Sequence, residues 1–175
     1  NAIQFEHIKT VQHNMGNGIT DKTDNNDDNT PVVVKTYNGP EGSLVLFNEY
    51  LCYRLAILVD IPMPKSGICL IDSSTIYNNC VTSHQYGYGF YSTYLNKSVT
   101  LMDTIISRIK NKEDFDKLSP IFNNIAERIL RSIIDDIPSE WMPFSQDVNA
   151  LVDYLLYRIN HFDDICITIS NHINN

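Results

Sequence analysis

The residues best suited to chemistry in this sequence are Lys35 and Glu49. Lys35 closes the run Val32-Val33-Val34, and Glu49 lies inside the most apolar helical segment, where an unpaired carboxylate is costly. A strand lysine that is paired with a helix glutamate holds its ammonium against the α- and β-phosphates of a nucleotide. The spacing leaves two other interpretations open, because Arg54 is a rival partner for Glu49 and because both charged groups can simply face water.

Two glycines, Gly16 and Gly18, precede the valine-rich run at the distance of a hairpin. Glycine lets backbone amides approach phosphate oxygens closely, so this pair is compatible with a phosphate-binding turn. An ordinary flexible loop is the simpler interpretation, and the acidic, asparagine-rich stretch at 21–30 would repel phosphate. That stretch has no apolar residue to bury, and we expect it to form a mobile loop or hairpin tip.

The elements that must position these residues are strands interrupted by one helix. A helix is expected over 42–59, and because its residues are apolar almost all round it should be buried on more than one side. Strands are predicted from β-branched and apolar runs, with the first of them at a sheet edge: 3–13, 31–37, 66–72 and 89–95.

The sequence from residue 100 onward has a helical pattern. Ser119 and Pro120 form a typical helix start, and isoleucines four residues apart make one broad apolar stripe from Ile121 to Ile137. Ser145 is expected to cap a last long helix. The predicted class is α+β, with a small antiparallel sheet and one buried helix in residues 3–98 and a helical part in 99–175.

Composition limits the partners that this chain can have. The formal net charge is −8, and the short basic run at 108–112 is typical of a solvated helix end, so we expect no direct contact with nucleic acid. No apolar run has the length of a membrane span, and we expect no membrane partner. The four cysteines show neither C-x-x-C spacing nor a histidine at ligand spacing, which predicts no zinc site and a reducing, cytoplasmic setting.

Several segments, taken in order, resemble the HipA-like protein kinase family. They are similar to the family's strand that ends in lysine, its Asn-Glu helix, its Pro-x-Pro exit, its Gly-x-x-Phe-Gly-Ser stretch and its last two helices. The likeness spans nearly the whole chain, and Tyr91 departs from it because the family has glycine there. The matching segments are VVVKTY at 32–37, LFNEYL at 46–51, IPMP at 61–64, GYGFYS at 87–92, IPSEW at 137–141 and LVDYLLYR at 151–158.

The resemblance implies a protein-kinase-like N-terminal lobe that binds ATP with magnesium and acts on, or beside, another protein. The phosphoacceptor and any toxin–antitoxin partner stay open. By matching position, Lys35 would contact the phosphates and Glu49 would fix Lys35. The other implied contacts are the phosphate-loop glycines Gly16 and Gly18, and Tyr94 and Leu95 near the adenine hinge.

The catalytic part of the family pattern is missing from the sequence. Family members carry an Asp-x-x-x-x-Asn loop and then a metal-binding strand, and both should fall between Asn111 and Ser119. Neither Asp114 nor Asp116 has an asparagine five residues later. Because phosphoryl transfer needs a carboxylate to orient the hydroxyl and ligands for magnesium, we assign no catalytic or metal-binding residue and expect no kinase turnover.

Two explanations and two functions remain open at this point. Either the protein is a natural internal deletion, a pseudokinase that serves as a binding module, or residues of the whole protein are missing from the sequence near 115–117. One function is a HipA-like ATP-binding lobe, which predicts a contact of a few ångströms between Lys35 and Glu49. The alternative is an interaction or regulatory module without a nucleotide, which predicts that these two side chains lie in separate environments.

Overall fold

The chain folds as an α+β protein, as the sequence predicts. The computed structural model describes residues 5–15, 18–23, 31–37, 42–77, 80–81, 86–93 and 119–173. These residues form two compact units. The first unit takes the described residues of 1–96 together with Asp136–Pro143, and the second takes those of 97–135 and 144–175. The sequence suggests a single boundary at residue 98, whereas the chain returns to the first unit for Asp136–Pro143.

The described strands of the first unit form one mixed sheet. They are β1 (Phe5–Met15), β2 (Gly18–Thr23), β3 (Pro31–Lys35), β4 (Ser66–Ile71), β5 (Ile76–Tyr77), β6 (Cys80–Val81) and β7 (Gly87–Thr93). Their order in the sheet is β2-β3-β7-β4-β1-β5-β6, and β1 also pairs with β2. The pairings around β3 and β7 are antiparallel, whereas β1 runs parallel to β4 and β5. The predicted antiparallel sheet is therefore extended by parallel pairings of β1.

The first two strands differ from what the sequence suggests. The expected edge strand, β1, instead pairs with β2, β4 and β5. Strand β2 includes residues 21–23, which belong to the stretch that the sequence assigns to a loop. Backbone hydrogen bonds to β1 on one side and to β3 on the other satisfy its N–H and C=O groups whatever the side chains are, so this largely polar segment can form a strand. The remainder of that stretch, 24–30, lies outside the described residues.

A small apolar cluster holds the centre of the sheet. Its members come from β3, β4 and β7, and each is at most 5% exposed: Val32, Val34, Cys69, Ile71 and Tyr91. A Cβ atom at Gly67 would lie 3.1 Å from Cε1 of Tyr91. Tyr91 stands where the HipA-like sequences have glycine. Its ring fits because its partner on the neighbouring strand, Gly67, has no side chain.

Helix α1 (Ser43–Leu58) connects β3 to β4 and contacts β4 and β7. Its buried side chains are Leu46, Phe47, Tyr50 and Leu51. Leu44 and Ile57 are 54% and 50% exposed, so the expectation that the helix is buried on more than one side is wrong. Asn48 and Cys52 in the middle of the helix are exposed too, so the buried side chains lie on one face of α1.

The second unit has two helices where the isoleucine stripe predicts one long helix. Helix α2 (Ser119–Asn123) ends at a turn, and α3 (Glu127–Asp135) begins after it. The Asn124 amide Nδ2 donates to the carbonyl oxygen of Pro120 at 2.7 Å, so this side chain competes with the backbone for a helical acceptor. The stripe is thus divided between two helices, and its last member, Ile137, belongs to the first unit.

The last two helices are α4 (Ser145–Asn160) and α5 (Phe162–Ile173). Helix α4 begins at Ser145 as expected, but Ser145 is not its cap, because the N-cap residue is Phe144 and no side chain makes a capping hydrogen bond there. Phe122 of α2 stacks on Phe162 of α5 with ring centroids 4.0 Å apart, which holds the ends of these helices together. Across the described ranges, no helix combines the length and the apolar character that crossing a membrane requires.

Candidate phosphate-binding site

The two residues singled out by the sequence meet in the structure. Nζ of Lys35 lies 2.8 Å from Oε1 of Glu49, so the predicted contact is confirmed. Lys35 is the last residue of β3, the third strand of the chain, and Glu49 lies in the helix that follows. The two side chains are 29% and 40% exposed. The ion pair therefore sits at the surface of the first unit, where its charged groups remain accessible to a ligand.

Aromatic packing sets the distance between the helix and the strand at this pair. Tyr53 lies one helical turn after Glu49, and its ring meets Phe90 edge-on with centroids 6.3 Å apart. Phe90 is the residue of β7 that pairs with Lys35 in the sheet. The contact between Tyr53 and Phe90 therefore packs α1 against the residue of β7 that lies directly beside Lys35.

The rival partner considered for Glu49 is engaged elsewhere. Nη1 of Arg54 donates to Oδ2 of Asp136 at 2.8 Å and to the hydroxyl of Tyr50 at 2.6 Å. The interpretation in which Arg54 neutralises Glu49 is therefore wrong. The two residues are five positions apart, and on a helix with 3.6 residues per turn they leave the axis on different sides.

The predicted phosphate-loop glycine Gly18 lies at the same end of the sheet as Lys35. Ile19 of β2 pairs with Val34 of β3 in antiparallel register. The register places Gly18, the first residue of β2, level with Lys35, the last residue of β3. Gly18 also pairs with Met15, the last residue of β1. The other predicted site residues, Gly16, Tyr94 and Leu95, lie outside the described residues.

Gly89 is a site residue that the sequence analysis missed. A Cβ atom at this position would lie only 2.7 Å from the carbonyl oxygen of Lys35 and 3.2 Å from Sγ of Cys69. Glycine thus allows β7 to lie close against the backbone that carries the lysine. The sequence contains a signal for it, since Gly89 is part of the GYGFYS segment, but only the register shows which neighbour it contacts.

The charge of Glu49 also acts on a neighbouring thiol. Cys52 is one helical turn further along α1 and is a free, exposed cysteine. Partial desolvation of the thiol, and after it the negative charge of Glu49, raise the pKa of Cys52 above its ordinary value. The raised pKa keeps this sulfur protonated and therefore unreactive at neutral pH.

The chemistry available at this site is electrostatic binding. A lysine ammonium carries three N–H donors, and Glu49 accepts from one of them and fixes the direction of the side chain. Such a group suits phosphate oxygens, to which charge-assisted hydrogen bonds are strong. Among the described side chains, no group of three or more His, Cys, Asp or Glu residues is placed to hold a metal ion. The stretch 111–118, where a catalytic loop would be sought, lies outside the described residues.

Comparisons with protein-family models, with curated proteins and with solved structures found no match for the chain. The functional proposal below therefore stands on the geometry of the described residues.

Proposed function

We propose that the first unit is a HipA-like, kinase-related nucleotide-binding lobe in which Lys35 binds the phosphates of ATP. The observation that carries this proposal is the 2.8 Å contact between Nζ of Lys35 and Oε1 of Glu49. Protein kinases place the phosphate-binding lysine on the third strand and pair it with a glutamate of the following helix. This chain has both residues on the corresponding elements.

The surroundings of the pair support a phosphate ligand. The first residue of β2, Gly18, lies at the end of the sheet where Lys35 ends β3. A glycine beside the lysine leaves room for phosphate oxygens to approach backbone amides. The exposure of both charged side chains, 29% for Lys35 and 40% for Glu49, gives a ligand access to them.

The proposal is limited to nucleotide binding. No residue is assigned as catalytic base or as magnesium ligand, and magnesium would accompany the nucleotide by binding its phosphates. A protein partner and a cytoplasmic location belong to the same proposal, the latter supported by the free cysteines Cys52, Cys69 and Cys166, which form no disulfide. Fractionation of cells that express the protein tests the location.

Isothermal titration with Mg-ATP tests the binding, with Lys35→Met as the main variant. Methionine keeps the apolar stem and removes the charge, so the loss of a charge-assisted hydrogen bond should weaken binding by about ten- to a hundredfold. Glu49→Gln should weaken it less, because the ammonium remains but loses its anchor.

Two matched controls separate this effect from a general loss of charge. Lys65→Met removes the lysine that directly precedes β4. Glu127→Gln removes the charge of a surface pair with Arg131, in which Oε1 and Nε are 2.7 Å apart. Both controls should bind Mg-ATP like the unmodified protein. Equal affinity of the Lys35→Met variant and the unmodified protein would contradict the assignment of Lys35.

The alternative function, an interaction module without a nucleotide, predicts separate environments for Lys35 and Glu49, and the structure shows them in contact. Absence of any Mg-ATP binding at millimolar concentration would nevertheless favour that function over the lobe proposed here.

A further inference from the structure

The segment Asp136–Pro143, called the strap below, is anchored in the first unit. Its 3-10 helix (Ser139–Trp141) contacts α1. Trp141 is 0% exposed, and its indole Nε1 donates to the carbonyl oxygen of Tyr88 in β7 at 3.1 Å. Ile137 is 5% exposed as well. The strap is therefore held by buried side chains and not by surface contacts alone.

The first residue of the strap forms an ion pair with the helix that carries Glu49. Oδ2 of Asp136 accepts from Nη1 of Arg54 at 2.8 Å, and the guanidinium lies 5.5 Å from the centre of the Tyr50 ring. Burial lowers the pKa of Arg54, but the hydrogen bonds that Arg54 donates to Asp136 and Tyr50, with the charge of Asp136, outweigh this effect and raise that pKa above its ordinary value. Arg54 therefore stays charged at neutral pH.

Helix α1 is thus attached on two different sides. Glu49 and Arg54 are five residues apart, which on an α-helix corresponds to roughly 140° around the axis. One side is joined to Lys35 and the other to Asp136. Rotation of the helix about its axis would break at least one of the two ion pairs, so each attachment limits the movement of the other.

We propose that the strap is a positioning element for the candidate site: through Asp136 and Arg54 it sets the rotation of α1 and so keeps Glu49 on Lys35. Asp136 and Arg54 are positioning residues and do not touch the ligand. The proposal deepens the proposed function and rests on it for its effect on ATP, but the contact between Lys35 and Glu49 can be measured without ATP.

The test is Asp136→Asn, which keeps the size of the side chain and removes its charge. For the NMR sample, the lysines of the full chain are reductively dimethylated with ¹³C-formaldehyde and a borohydride reductant, which keeps their charge, and the Lys35 methyl signal is assigned by its absence in Lys35→Met. The affinity for Mg-ATP is measured on unmethylated protein. In the Asp136→Asn variant this signal should move toward the position of exposed lysines, and Mg-ATP should bind three- to tenfold more weakly.

Two further variants separate positioning from a general structural effect. Asp136→Glu retains the charge and should restore the Lys35 signal and most of the affinity. Glu127→Gln breaks the exposed pair with Arg131 in the second unit and should change neither.

The outcomes separate the two proposals. An unchanged Lys35 signal in Asp136→Asn would overturn the strap proposal, whatever ATP does. A shifted signal, restored by Asp136→Glu, supports the strap. If the same shift is seen although the unmodified protein binds no ATP, the strap proposal stands and the nucleotide function falls.

Discussion

Gly89 offers the most direct way to move Lys35 without changing any charge. Alanine at this position would place a Cβ atom 2.7 Å from the carbonyl oxygen of Lys35, a distance that real Cβ atoms essentially never show. The same Cβ atom would lie 3.2 Å from Sγ of Cys69, so it could not move away from Lys35 toward β4. Because the nearest neighbour is backbone and Cys69 is fully buried, β3 or β7 must shift. Overpacking of this kind costs about 1–3 kcal/mol.

Urea unfolding measures this cost in the first unit specifically. Trp141 is the single tryptophan of the chain, is fully buried and belongs to the first unit, so its fluorescence follows the unfolding of that unit. The Gly89→Ala variant should lose about 2 kcal/mol of unfolding free energy, in the middle of the range for overpacked cores. Its affinity for Mg-ATP should also fall, because the lysine is displaced from its place beside Glu49.

Gly67→Ala is the matched control on the neighbouring strand. Its Cβ atom would lie 3.1 Å from the ring of Tyr91, which is a side chain and yields more easily than a backbone carbonyl. This variant should lose less than about 1 kcal/mol and bind Mg-ATP normally. If Gly89→Ala unfolds at the same urea concentration as the unmodified protein, the close approach of β7 to Lys35 is not a constraint and the reasoning fails.

Three further changes test the packing and the charges around α1. Trp141→Phe removes the hydrogen bond from the indole Nε1 to the carbonyl oxygen of Tyr88 and part of a fully buried ring, and should cost about 1–3 kcal/mol, measured by circular dichroism in urea. Leu46→Ala, at a side chain that is 1% exposed, should cost about 2–5 kcal/mol by the same assay. Glu49→Gln removes a charge that raises the pKa of Cys52 and should speed alkylation of this thiol, followed by mass spectrometry at pH values around 8. Because that pKa is raised, the folded protein binds the thiol proton more tightly than the unfolded chain does. Stability should therefore fall as pH rises above 9.0, an effect that Cys52→Ser should remove.

The contact between Lys35 and Glu49 was predictable because a charge in an apolar helix has few compatible partners. Glu49 stands among apolar residues of α1, and the lysine that ends the preceding strand is close along the chain. Short sequence separation and opposite charge were enough to make this contact one of the candidate pairings. They were not enough to choose between Lys35 and Arg54, since both satisfy the same electrostatic requirement.

The parts that could not be predicted depend on distant pairing. Strand β2 has a polar sequence, and its register beside β3 follows from backbone hydrogen bonds that leave no periodic pattern in the side chains. The ion pair between Arg54 and Asp136 joins residues 82 positions apart. Nothing local to either residue indicates the other, so the strap was recognised as part of a family-like segment without its role.

The Lys35–Glu49 pair contributes little to the stability of the fold, which favours a functional role for it. An ion pair with both members partly exposed contributes at most about 1 kcal/mol to stability. Helix α1 is already held by buried residues such as Leu46 and Phe47, which contribute about 2–5 kcal/mol each. Removing the pair should therefore leave the first unit folded and change chiefly the direction of the Lys35 ammonium. A Lys35→Met variant that unfolds like the unmodified protein yet loses Mg-ATP would show a binding role, whereas a loss of several kcal/mol would show that the pair serves the fold.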